Sequence, residues 1–73
     1  MVITTINNNK LFIQLDRLVS NGTITVSDDN GHSKSITVRN SNFEEIDLSS
    51  GVRKIFIKIE TGNETITKTI NLL

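Results

Sequence analysis

In Lys54-Ile55-Phe56-Ile57-Lys58-Ile59-Glu60 an isoleucine occupies every second position, and Lys, Phe, Lys and Glu fill the alternate ones. Successive side chains of a strand point to opposite faces, so this rhythm gives one wholly apolar face and one mixed face. The stretch predicts a strand at the centre of a sheet. The rhythm recurs upstream. Thr23-Ile24-Thr25-Val26-Ser27 and Lys34-Ser35-Ile36-Thr37-Val38-Arg39 each set two β-branched residues against Thr, Ser or charge. Between them Asp28-Asp29-Asn30-Gly31-His32-Ser33 carries Asn-Gly, a hairpin signal because both residues tolerate positive φ.

Leu11, Ile13 and Leu15 alternate with Phe12 and Gln14, which predicts a strand with a partly apolar outer face and a break over residues 16–22. Residues 2–6 predict a first strand, closed by Asn7-Asn8-Asn9; whether it pairs within its own domain or with a neighbour is open at this level. Phe43-Glu44-Glu45-Ile46-Asp47-Leu48 predicts a short strand, entered through a bend or bulge, with Ile46 and Leu48 on one face and Phe43 on the other. Ser49-Ser50-Gly51 turns the chain. Gly62-Asn63 predicts a two-residue, Gly-first hairpin into Glu64-Thr65-Ile66-Thr67-Lys68-Thr69-Ile70-Asn71-Leu72, where Ile66, Ile70 and Leu72 share a face that Lys68 interrupts, reaching water from near a sheet edge. Seven short strands at roughly ten-residue spacing predict an all-β fold, a small immunoglobulin-like antiparallel β-sandwich occupying residues 1–73 as a single domain.

Composition supports the same class. The 73 residues contain no Ala, Pro, Trp, Tyr or Cys, but 11 Ile, 9 Thr and 5 Val; the best helix former is missing and the residues that suit a pleated surface replace it. Nine Asn and four Gly supply the turns. A domain of this size buries only about 60% of the surface its unfolded chain exposes, which leaves little material for a deep substrate pocket beside a core. Eight basic and eight acidic residues give zero formal charge, so no nucleic-acid footprint is implied. Without cysteine there is no disulfide framework and no Cys-containing zinc site. No apolar run nears the roughly 20 residues of a membrane span, and the first residues lack the pattern of a secretory signal, so the chain is expected to remain where it is translated.

The chemistry-bearing residues read mostly as structure. Asp28-Asp29-Asn30-Gly31 has the oxygens of a calcium loop, but the twelfth position, where an EF-hand needs Glu, holds Arg39; the segment reads as a turn. His32 shares that loop and has no nucleophile at a recognisable spacing. Glu44, Glu45 and Asp47 could divide acid and base roles only within a cleft. The acceptor-like Asn21-Gly22-Thr23 and Asn63-Glu64-Thr65 are no more than nine Asn and sixteen Ser plus Thr produce by chance. Lys54, Lys58 and Lys68 read as guards around an aggregation-prone Ile-Phe-Ile stretch. Phe12 and Phe56 are different: each lies opposite its row of Leu or Ile, and two outward aromatics would mark a contact surface for a partner, the equal alternative being that each packs under a loop.

Residues 26–72 resemble the C-terminal sorting domain of the Bacteroidetes type IX secretion system. Val26-Ser27-Asp28-Asp29-Asn30-Gly31 is similar to that family's apolar-x-Asp-x-x-Gly hairpin, and Ile46-Asp47-Leu48-Ser49-Ser50-Gly51-Val52 to its Ile-Asp-Leu-Ser…Gly segment. Ile57-Lys58-Ile59-Glu60-Thr61-Gly62-Asn63 followed by Thr67-Lys68-Thr69-Ile70 matches the end of the pattern. The resemblance implies an immunoglobulin-like sandwich; a sorting role would require a fused passenger. With no catalytic residue, cofactor or metal site expected, the sequence reads as a non-enzymatic structural module that binds a protein partner. By fold-level analogy, that partner is a capsid protein or other large assembly and the chain a multi-copy auxiliary or decoration protein of a phage virion. The alternative is a sorting or adhesion module at a bacterial cell surface.

Overall fold

A computed structural model describes residues 2–72. Seven strands follow one another: β1 (Val2–Asn7), β2 (Lys10–Val19), β3 (Gly22–Asp28), β4 (Ser33–Val38), β5 (Ser41–Asp47), β6 (Lys54–Thr61) and β7 (Thr65–Asn71). They form two antiparallel sheets in the orders β1-β2-β5 and β4-β3-β6-β7. No described residue is helical. In a constant-type immunoglobulin domain the fourth strand belongs to the sheet of the first two; here β4 pairs with β3 in the other, a three-plus-four division compatible with an immunoglobulin-like sandwich.

The alternation explains the packing. Ile24 of β3 faces Ile36 on one side and Ile59 on the other, and Val26 faces Ile57. In the smaller sheet Leu11 lies between Ile6 and Ile46. Leu11, Ile13, Ile24, Val38, Ile55 and Ile57 are fully buried, and Leu15, Val26, Ile46 and Ile59 nearly so. Each such aliphatic side chain contributes about 1.5–3 kcal/mol through burial. The molecule is 17 Å across its thinnest direction, room for two sheets about 10 Å apart and one layer of side chains between them. Ile55, Ile57 and Ile59 sit on β6, an interior strand, as their pattern predicts.

The turns differ from expectation in instructive ways. Asn8 (φ 52°) and Asn9 (φ 60°) link the paired residues Asn7 and Lys10 with both central φ values positive, so the type I′ geometry expected at Asn30-Gly31 occurs here. At Asn30-Gly31 only Gly31 (φ 86°) is left-handed, and side-chain hydrogen bonds organise a longer loop. Gly62 is not left-handed; the Thr61 hydroxyl instead accepts the N–H groups of Asn63 and Glu64, both at 3.3 Å. Gly51 (φ 77°) does turn the chain where expected.

The break placed over residues 16–22 shrinks to Ser20 and Asn21. Between Gln14 and Val19 the β2–β5 register shifts, Gln14 facing Phe43 and Val19 facing Ser41; β2 absorbs the surplus residues as an irregularity and pairs again beyond it. Two of the three expected lysine guards are also misplaced. Lys54 and Lys58 project outward from an interior strand and protect no edge, whereas Lys68, opposite Ile57 on the edge strand β7, does. At Gly22 an added Cβ would lie 2.8 Å from the carbonyl oxygen of Glu60 and 3.3 Å from Cγ1 of Val19, so glycine allows β3 and β6 their close approach.

Candidate interaction surface

The outer face of β1-β2-β5 is built by the residues that the core leaves over. Strand pairing places Phe43, Gln14 and Ile3 in one cross-strand row, Glu45, Phe12 and Thr5 in the next, and Asp47, Lys10 and Asn7 in the third. Phe12 and Phe43 stack, ring centroids 6.1 Å apart with planes at 23°, an arrangement worth about 0.5–1.5 kcal/mol beyond area burial. Even so, Phe43 is 49% and Ile3 54% exposed. Phe12 and Phe43 thus form an apolar pair open to solvent, with Ile3 exposed beyond Gln14 in the row of Phe43 and the Lys10–Glu45 ion pair at 3.8 Å on the other side.

Polar groups hold this pair in place. The Ser41 hydroxyl donates to the Phe43 carbonyl at 2.9 Å and accepts the Phe43 N–H at 3.2 Å. The Gln14 amide donates to the carbonyls of Leu15 and Asn42, at 3.1 and 3.0 Å, tying β2 to β5 where their register changes. The Phe43 backbone is therefore held by Ser41 on its own strand, and the preceding carbonyl, of Asn42, by Gln14 of β2.

Phe56, the second residue singled out in the sequence, lies on the outer face of the other sheet. Its cross-strand neighbours are Ser27 and Thr69, and the surrounding face carries hydroxyl pairs, Thr25–Ser35 at 3.0 Å and Ser27–Ser33 at 3.3 Å. Phe56 is 43% exposed and has no aromatic partner among the described residues. Phe12 and Phe56 therefore occupy opposite faces and cannot belong to one flat contact. The neighbour that Phe12 does have, Phe43, arises from pairing of strands about 30 residues apart and has no local signature.

Asp28 proves to be the organiser of its hairpin. One carboxylate oxygen accepts the N–H groups of Asn30 and His32, at 2.8 and 3.0 Å, and the other meets Nδ1 of His32 at 3.1 Å. Partial desolvation works against ionisation of Asp28, but the N–H groups of His32 and Asn30 outweigh it and hold the carboxyl below its ordinary range. Asp29 accepts the Arg53 N–H at 3.2 Å and its own N–H donates to the Lys54 carbonyl at 3.3 Å, joining this loop to the entry of β6. His32 is 63% exposed, and among the described residues no hydroxyl hydrogen-bonds to its ring.

The three carboxylates of β5 diverge. Glu45 and Asp47 face outward, whereas Glu44, opposite Ile13, faces the inner side of an edge strand. No group of three potential metal ligands occurs among the described residues. Clefts of about 370 and 400 Å³ open at the two ends of the sandwich. At the first, Arg17 and Glu64 close on each other at 3.1 Å; at the second, the Lys34 ammonium donates to the Asp47 carbonyl at 2.9 Å. The charged groups in these pairs are directed at the protein itself. No protein-family model matches the chain, and a search of curated proteins finds no similar one.

Proposed function

We propose that this domain is a non-enzymatic binding module that docks on a large protein assembly, specifically a small auxiliary or decoration protein on the shell of a phage capsid. The observation that carries the docking role is the Phe12–Phe43 stack, braced by Ser41, on a face that also exposes Ile3; Leu18 and Phe56 are the other exposed large apolar side chains among the described residues. A rigid aromatic pair presented by a sheet loses little conformational entropy on binding and supplies the anchors on which interfaces depend. A small sandwich without disulfides also gains stability by mass action when it docks. The capsid assignment rests on fold-level analogy with other small sandwich modules.

A second reading, a sorting or adhesion module at a bacterial surface, is favoured by a different observation. Asp28 and Gly31 perform in this hairpin the acceptor and left-handed roles that would account for the apolar-x-Asp-x-x-Gly pattern shared with type IX sorting domains. Mass spectrometry of purified phage particles, and of the envelope fraction of cells carrying the gene, separates the two. Peptides of this chain in the particles at a stoichiometry comparable to the shell protein are expected. Their absence there, with recovery in the envelope, would replace the first reading by the second.

A further inference from the structure

The four sheet edges are not equally protected. β4, β5 and β7 each carry one charged side chain on the core-facing side of the edge: Lys34 opposite Val26, Glu44 opposite Ile13 and Lys68 opposite Ile57. An inward-pointing charge on an edge strand is a known barrier to continuation of the sheet, because a strand added there would bury it. β1, the fourth edge, is Val2-Ile3-Thr4-Thr5-Ile6-Asn7. It has no charge on either side, no proline, and a register with β2 unbroken from Val2 to Asn7. Among the described residues its only ladder is with β2.

The β1 edge is also self-complementary. If a second copy pairs antiparallel about a two-fold axis through Thr4, Val2 faces Ile6 of the partner copy and Ile3 faces its Thr5. Residues that face inward in one copy then face inward in the other, so the two cores continue on the same side of the sheet. Every other edge, paired with itself in this way, draws its core-side Lys34, Glu44 or Lys68 into the junction. The exposed Ile3 falls in the centre of the joined outer face, next to the row that holds Phe12 and Thr5.

We propose that two copies of this chain associate through β1, forming a continuous six-stranded sheet in the order β5-β2-β1-β1-β2-β5. The proposal concerns the edge of the sheet and stands whatever protein the outer face binds. One six-residue strand pair is small beside the roughly 1,000 Å² of a stable interface, so the dimer is concentration-dependent.

Sedimentation equilibrium of the chain, up to about 1 mM, is expected to show a species of twice the 8.1 kDa monomer mass. The double variant I3E/T5E sets Glu against Glu across the axis twice and is expected to sediment as monomer. I3E/T5K sets Glu against Lys at the same places and is expected to restore the dimer, which tests the register as well as the edge. Circular dichroism establishes that each variant is folded. If one is not, amide exchange of the unmodified chain decides: residues 2–7 are expected to gain protection with concentration while the edges β4, β5 and β7 do not. A monomer at every concentration, a dimer indifferent to I3E/T5E, a failure of folded I3E/T5K to reassociate, or concentration-dependent protection at another edge would each overturn the proposal.

Discussion

Replacing Gly22 by alanine tests the packing of the two central strands. The new Cβ would stand 2.8 Å from the Glu60 carbonyl oxygen, where ordinary contact begins near 3.4 Å, so the strands must part locally by about 0.6 Å. That carbonyl belongs to β6, whose Ile55, Ile57 and Ile59 fill the core, and Val19, at 3.3 Å, blocks an easy sideways escape. Overpacking of this kind costs about 1–3 kcal/mol. Because Gly22 does not have positive φ, alanine also recovers about 0.4–1 kcal/mol by restricting the unfolded chain. The net expectation is a loss of about 1–2 kcal/mol, or roughly 5–15 °C in Tm for a domain of this size. Thermal denaturation followed by far-UV circular dichroism reads it directly. A variant as stable as the parent or more so would show that the β3–β6 approach is looser than described and that Gly22 is there for another reason.

Ile57→Ala empties a fully enclosed site on β6 and is expected to cost about 2–5 kcal/mol. Against a total stability of about 4–11 kcal/mol for 73 residues, urea titration should find a large share of it gone. Asp28 contributes with a definite pH sign: its folded-state carboxyl titrates below the reference value of 3.8, so its stabilisation is fully present above that value and lost as pH falls through the lower folded value. Asp28→Asn should therefore be less stable than the parent near pH 6, with the gap closing as pH falls below 3.8; chemical denaturation at several pH values that finds a constant gap would contradict this. Truncating Phe12 and Phe43 to alanine singly and together should give a coupling of about 0.5–1.5 kcal/mol, measured as a double-mutant cycle in urea.

The strands were legible because period-two alternation is a local property. Ile55, Ile57 and Ile59 point inward whatever they pair with, and so do Leu11, Ile13 and Leu15. The continuation of β2 through residues 16–19 was not legible, since an irregularity destroys the alternation that would reveal it. Turn geometry was half legible: Asn-Asn, Asn-Gly and Gly-Asn all permit left-handed residues, but at Asn30-Gly31 the hydrogen bonds of Asp28, and at Gly62-Asn63 those of Thr61, accompany a different geometry. For the surface, an outward Phe12 follows from alternation, but its stacking on Phe43 depends on β2–β5 pairing and the separation from Phe56 on the division into two sheets. Neither is encoded within reach of the aromatic residues themselves. The contrast among the four edges likewise depends on the strand order, which no local pattern encodes.

The docking claim is tested most directly by site-specific photo-crosslinking. A benzophenone amino acid is placed at Phe43 in one preparation and at Phe56 in another, and each full chain is added to particles lacking it. The account predicts an adduct with the shell protein from position 43 and none from position 56. Adducts from position 56 alone, or from neither, would contradict it.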